Sequence, residues 1–332
     1  MSMTQDIEAG LTALASQLLG AGARIDGLKR LSGGASQETW AFSVSAGAAS
    51  RPLILRRAPG GGGEARNSTA IGLPAEARLI EAAVAAGVPA PGIAHVCQPG
   101  DGLGEAFIME RVGGETIARK ILRDDTYEQA RTRLAAQCGR ALAGIHGIDI
   151  ANLPELPESF GTDQLDRYEE IYRGFEAPRP VFELAIQWLR ANAPRPLAPV
   201  LVHGDFRLGN LMVDENGLAA VLDWELAHIG DPREDIAWAC INSWRFGVAE
   251  KRVGGFGDLP DLLEAYGAAG GAQIAQGEID WWEMLGSLKW GIMCMIMYDA
   301  FRSGADPSVE RATIGRRVSE TEIDLINLLE KV

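Results

Sequence analysis

The stretch His203-Gly204-Asp205-Phe206-Arg207-Leu208-Gly209-Asn210 is followed by apolar Leu211-Met212-Val213, then Asp214-Glu215-Asn216-Gly217, then Val221-Leu222-Asp223-Trp224-Glu225. It reads as a loop bearing a carboxylate and a carboxamide, a hairpin with a turn-like Asp214 to Gly217, and a second carboxylate. The hairpin folds that second carboxylate back beside the loop. Phosphoryl transfer uses such a set. One carboxylate orients a hydroxyl and accepts its proton, while an Asn and another Asp hold magnesium against nucleotide phosphates. A bare H-x-D says little; the ordered combination around an apolar hairpin is what points to this chemistry. Asp205 is therefore the expected base, and Asn210 and Asp223 are oxygen ligands suited to magnesium.

Neighbouring residues take secondary roles. His203 reads as a hydrogen-bonded scaffold two positions before the base. Arg207 has two open readings: contact with the transferred phosphoryl group, or pairing with a nearby acid. Glu225, two positions beyond Asp223, would share its face on a continuing strand. A second metal or a purely structural role both stay open for it. Asp231-Pro232-Arg233-Glu234-Asp235 opens a helix, with Pro near the first turn. Asp235 is expected to support the catalytic loop, and Trp238 and Trp244 to belong to the core. His146 reads as a packed histidine at a helix end, where a cation suits the dipole. His95 and His228 lack metal-ligand spacing and read as incidental.

Upstream, Ile7, Leu11, Leu14 and Leu18 have helical spacing, ended by Gly20 and Gly22. Strands are expected over 28–31, 39–44 and 53–56, the first two joined by Ser32-Gly33-Gly34-Ala35-Ser36. Backbone amides of Gly33, Gly34 and Ser36 could approach phosphates there, although for the turn taken alone a plain hairpin is the favoured reading. Gly60 to Thr69 reads as a loop. A helix follows Pro74 and carries Glu76 near its start. Arg56 ends the third strand and offers a cation for nucleotide phosphates, with Glu76 to hold it. Arg57 is the competing candidate, facing the other side of the strand. Another strand is expected at 107–112. Beyond it, helices are expected over 127–147, 163–192, 233–246, 258–268, 278–302 and 307–331. The fold class is thus α+β: a small antiparallel-sheet lobe, residues 1–112, before a large helical lobe, residues 113–332.

Composition narrows the setting. The 332 residues include 31 basic and 45 acidic ones, a net charge of −14. No nucleic-acid partner is expected, because such binding rests on basic patches. The acidity suits a cationic substrate, or simply solubility. Cys97, Cys138, Cys240 and Cys294 form no C-x-x-C pair, and a reduced cytoplasmic setting is expected. The start lacks a signal-peptide pattern. Trp290 to Tyr298 is too short to cross a bilayer, so no membrane partner is expected.

The motifs His203-Gly204-Asp205 to Asn210, Leu222-Asp223-Trp224-Glu225 and Gly230-Asp231-Pro232 to Asp235 resemble the aminoglycoside phosphotransferase and choline kinase group of the protein-kinase-like superfamily. Within it, Leu53-Ile54-Leu55-Arg56-Arg57-Ala58-Pro59-Gly60 looks like the kinase-like domains sometimes fused to acyl-CoA dehydrogenases. The resemblance runs from about residue 25 onward. It implies a two-lobed fold with ATP or GTP in the cleft, and a small-molecule hydroxyl acceptor. It implies Asp205 as base, Asn210 and Asp223 as ligands of Mg2+, and Met109 to Val112, including Glu110 and Val112, as a hinge meeting the purine. Arg56 stands where most members carry Lys. The acceptor is left open among amino sugars, amino alcohols and hydroxyacyl thioesters. Asp163 to Phe175 and Trp281 to Tyr298 are candidate acceptor walls. A nucleotide-binding pseudoenzyme or regulatory module is the alternative.

Overall fold

The computed structural model describes residues 3–31, 37–62 and 70–332. The Gly-rich turn with Gly33, Gly34 and Ser36 lies outside these residues, as does the stretch 63–69. The first lobe contains α1 (Met3–Leu19), β1 (Arg24–Arg30), β2 (Glu38–Ala46), β3 (Ala49–Arg57), α2 (Leu73–Ala85), β4 (Ile93–Val96) and β5 (Ala106–Glu110). Its five strands form one antiparallel sheet in the order β1-β2-β3-β5-β4.

Alternation along the strands decides what each sheet face carries. Trp40, Phe42, Val44, Leu53 and Leu55 are buried with Ile7, Leu11, Leu14 and Leu18 of α1. Ala41 and Ile54, of opposite parity, join the core shared with α2 and the helical lobe. Arg56 has the parity of Ile54 and Arg57 that of Leu55. Arg57 accordingly donates to the Leu103 carbonyl at 2.6 Å and to Glu38 at 3.1 Å, and is a structural residue of the α1 face.

The second lobe contains α3 (Ala118–Arg123), α4 (Glu128–His146), α5 (Gly161–Gly174), α6 (Pro180–Ala191), β6 (Val200–Val202), β7 (Leu211–Asp214), β8 (Gly217–Val221), β9 (His228–Gly230), α7 (Arg233–Cys240), α8 (Leu259–Ala268), α9 (Gln276–Ser303), α10 (Val309–Gly315) and α11 (Val318–Leu329). The β7–β8 hairpin and the β6–β9 pair are both antiparallel. Reciprocal backbone bonds between Glu115 and Val213 tie the segment after β5 to the hairpin.

Three expected helices are shorter than their periodicity suggested. The helix expected over 163–192 is two, because Pro178 and Pro180 interrupt it and Glu176 takes a φ of 50°. The one over 307–331 breaks after Gly315, where the backbone packs closely on Tyr298 of α9. The one over 233–246 gives way to a 3-10 turn after Cys240. Strands β4, β6 and β9 have no counterpart in the sequence reading. At three or four residues they are too short to show a period.

Candidate active site

The segment that joins β6 to β7 carries Asp205, and its backbone is fixed from α7. Asp235 accepts the amide protons of His203 at 2.7 Å and Gly204 at 2.9 Å. His146 Nε2 donates to the same carboxylate at 3.1 Å, while its Nδ1 lies 3.0 Å from the Tyr266 hydroxyl. Burial opposes ionisation of Asp235, but the His146 hydrogen bond and the surrounding charge outweigh it and hold its carboxyl below the usual range. The supporting role expected of Asp235 matches this geometry, and His146 is one of its partners. Gly204 has a φ of +83°, and a Cβ there would run into the Leu226 carbonyl. The glycine of the His-Gly-Asp motif is thus required by close backbone approach.

His203 is fully buried, and burial keeps it neutral against the pull of Asp235, Asp205 and Asp223. Its Nε2 lies 3.1 Å from the Leu222 carbonyl, and its Nδ1 accepts from the Asp205 amide at 3.2 Å. Those partners assign the proton to Nε2 and make His203 a strut between the loop and the segment carrying Asp223.

Three donors hold the Asp205 carboxylate. Arg207 Nε at 2.9 Å and Trp238 Nε1 at 2.7 Å both reach Oδ1; Asn210 Nδ2 reaches Oδ2 at 2.6 Å. Arg207 thus pairs with Asp205, the acid two positions before it. Its guanidinium also lies over the Trp244 ring, 4.5 Å from the centroid. Trp238 is 7% exposed and packs in the core as expected, yet its indole N–H is also part of the site.

Asp223 lies beyond β8 with a φ of 66°, a left-handed conformation uncommon for a residue other than glycine. The expectation that Glu225 shares its face on a strand fails, because the strand has ended at Val221. Glu225 still reaches the cleft through Gln37. Gln37 Nε2 lies 3.2 Å from both Glu225 Oε2 and Glu76 Oε2, and Gln37 Oε1 accepts from Arg56 Nε at 2.7 Å. Gln37 follows the Gly-rich turn directly and is a cleft residue that the sequence reading missed.

Arg56 links both lobes. Its Nη1 is 3.3 Å from Glu76 Oε1, and its Nη2 donates to Asp223 Oδ1 at 2.9 Å. Its side chain is 12% exposed, that of Glu76 0% and that of Asp223 36%. Burial pushes the Glu76 carboxyl up, with Arg56 acting against it. Burial also opposes ionisation of Asp223, but the charge and hydrogen bond of Arg56 outweigh it and hold that carboxyl below its usual range. At the expected hinge, the Glu110 amide donates to the Gly92 carbonyl at 2.8 Å, and its carboxylate is held by Arg51 at 2.8 Å. The side chain of Glu110 is therefore structural. Val112 follows directly after the strand.

Of the expected acceptor walls, Trp281 and Trp282 are core residues, and Trp281 donates to the Leu189 carbonyl. Tyr168 and Lys289 lie close to Trp238: the Lys289 ammonium is 5.6 Å from the Tyr168 ring and 5.5 Å from the Trp238 ring. Glu234 pairs with Lys289 at 2.9 Å and with His228 at 3.2 Å, so His228 is built into a buried charge cluster. In the first lobe, His95, Cys97 and Asp101 bring ligand atoms within 4.8 Å of one another. His95 Nε2 lies 2.8 Å from Asp101 Oδ2, so the histidine read as incidental has a local hydrogen-bond partner.

The model of the phosphotransferase enzyme family matches residues 27–282. The chain belongs to this family. Acyl-CoA dehydrogenase family member 10 of Mus musculus is 31% identical over 202 residues, a match covering 58% of this chain and 18% of that protein. The chain thus spans about a fifth of that relative's length. A candidate aminoglycoside phosphotransferase from Ralstonia eutropha JMP134 superposes with a TM-score of 0.74 at 21% identity, covering 99% of this chain and 98% of the other. A thermostable mutant of aminoglycoside phosphotransferase APH(4)-Ia, solved with AMP-PNP and hygromycin B, gives 0.58 at 16% identity over 97% and 98% of the two chains. At these identities the structures show the shared fold, a small antiparallel-sheet lobe on a helical lobe. Membership of a phosphotransferase family agrees with the enzyme class expected from the sequence. Among the described residues no helix is long and apolar enough to cross a membrane.

Proposed function

We propose that the protein is a small-molecule kinase that moves the terminal phosphoryl group of ATP or GTP onto a substrate hydroxyl. The observation that carries this reading is the Asp205 carboxylate, oriented by three donors on a loop anchored through Asp235. Asp205 accepts the hydroxyl proton as the alcohol oxygen bonds to phosphorus and the bridging oxygen leaves with the nucleoside diphosphate. Asn210 spends its Nδ2 on Asp205 and so presents Oδ1. Asp223 spends Oδ1 on Arg56 and so presents Oδ2. Two hard oxygen donors fit magnesium, and Asn210 and Asp223 would hold it. When bound, that ion neutralises charge on the phosphates. Arg56, braced by Glu76, supplies further positive charge, and Met109 to Val112 offer backbone to the purine. The division into lobes falls near Gly113, and a reduced cytoplasmic setting suits four free cysteines.

For the acceptor, we favour a hydroxyacyl thioester. The relative with the acyl-CoA dehydrogenase name supports it over an amino sugar. The test is a screen with labelled ATP and GTP against hydroxyacyl-CoAs, amino sugars and amino alcohols. Label on a hydroxyacyl-CoA is expected. Label on an amino sugar alone overturns the acceptor assignment. Tight nucleotide binding without turnover on any of them favours a regulatory nucleotide-binding module.

A further inference from the structure

We infer that Trp238 is a positioning residue that, with Arg207, directs proton acceptance to one oxygen of Asp205; this rests on the kinase reading above. A carboxylate has about four lone-pair directions. Trp238 Nε1 and Arg207 Nε take two of them, both on Oδ1, at 2.7 and 2.9 Å. Asn210 Nδ2 takes one on Oδ2. The remaining direction lies on Oδ2, and that is where the acceptor hydroxyl must present its proton.

The clamp is rigid because its members hold one another. Arg207 lies 4.5 Å over the Trp244 ring, and Trp244 packs against Trp238 with centroids 5.7 Å apart. From the other side, α9 seats the indole. At Gly286 a Cβ would lie 3.4 Å from Trp238 Cε3 and 2.6 Å from Ile241 Cδ1, so the glycine admits α7 at this spacing. One helical turn on, the Lys289 ammonium lies 5.5 Å from the Trp238 ring. Neither Trp238 nor Gly286 belongs to the catalytic motif. A ring chosen for packing alone would need no donor aimed at the base. A charge-assisted bond to a carboxylate fixes which oxygen is free to react.

Two measurements on the intact chain test the inference. The first is the indole N–H spectrum of protein labelled with 15N-tryptophan, where the Trp238 signal is the one lost in Trp238→Phe. It should lie downfield and move upfield in Asp205→Asn. A Trp238 signal indifferent to Asp205→Asn overturns the inference. The second is hydrolysis of MgATP with water as acceptor. Trp238→Phe keeps the ring and removes the donor; it should lower kcat about tenfold and leave the KM for MgATP within about twofold. Trp238→His, which restores an N–H, should recover part of that loss. If Asp205→Asn abolishes hydrolysis while Trp238→Phe turns over like wild type, the positioning role fails and the base survives. If Asp205→Asn hydrolyses MgATP at the wild-type rate, the base assignment itself fails.

Discussion

Replacing Arg56 by methionine removes a cation that touches Glu76, Gln37 and Asp223 together. Glu76 is fully buried, so the variant leaves a carboxyl without its counter-charge. Breaking a buried pair in this way costs about 3–5 kcal/mol when the remaining group stays ionised. The loss depends on pH. The folded state already holds the Glu76 carboxyl above its ordinary value. Its contribution is therefore fully present below the unfolded pKa, about 4.3, and falls away as pH rises through the folded pKa. Without Arg56 that folded pKa rises further, and the penalty grows toward neutral pH. Asp223 acts in the same sense. Its depressed carboxyl contributes stability above the ordinary carboxylate range, and Arg56→Met forfeits that contribution. Urea unfolding should thus show a loss already present at pH 5, from Asp223, that grows to about 3 kcal/mol or more at pH 8 as Glu76 ionises. Arg56→Met with Glu76→Gln should recover much of it. Catalysis should fall as well, by at least about tenfold in kcat/KM, or about 1.4 kcal/mol. Arg56→Lys should keep activity with a modest rise in nucleotide KM. A wild-type urea midpoint at pH 8 together with wild-type kinetics for Arg56→Met would refute the reasoning.

Asp223→Ala should abolish magnesium-dependent nucleotide binding, and Asn210→Ala should weaken it less because it removes a neutral ligand; calorimetry with and without magnesium reads both. Gly204→Ala combines a φ of +83° with a clash against the Leu226 carbonyl, and should lose about 2 kcal/mol or more by denaturant unfolding. A neutral midpoint shift would remove the close-approach argument. Asp235 has a depressed carboxyl, so its contribution is present above the ordinary carboxylate range and lost as pH falls through the folded value. Asp235→Asn should therefore destabilise at pH 7 and approach wild type in acid, read as the difference between the two pH-stability curves.

The loop and hairpin were legible because Asp205, Asn210 and Asp223 lie within 19 residues and flank a short turn between Asp214 and Gly217. Strand parity also separated Arg56 from Arg57. Gln37 and Trp238 were not legible. Gln37 meets Glu225 across 188 positions, and Trp238 meets Asp205 across 33, so packing of separate elements makes both contacts. Periodicity assigns Trp238 to a core and is silent on where its N–H points. The left-handed Asp223 was hidden for another reason: no glycine marks the turn, and Arg56 and the surrounding loop hold it. Long helices were over-extended where a proline pair or a close glycine contact ends them.

In the proposed reaction Asp205 takes a proton from a hydroxyl during phosphoryl transfer. The most direct test of that role is transfer from γ-labelled ATP to the acceptor found by screening, in wild type and in Asp205→Asn, with MgATP affinity measured alongside. Turnover should be lower by about a hundredfold or more, with nucleotide still bound at close to the wild-type affinity. Near-wild-type transfer by a folded Asp205→Asn would contradict it.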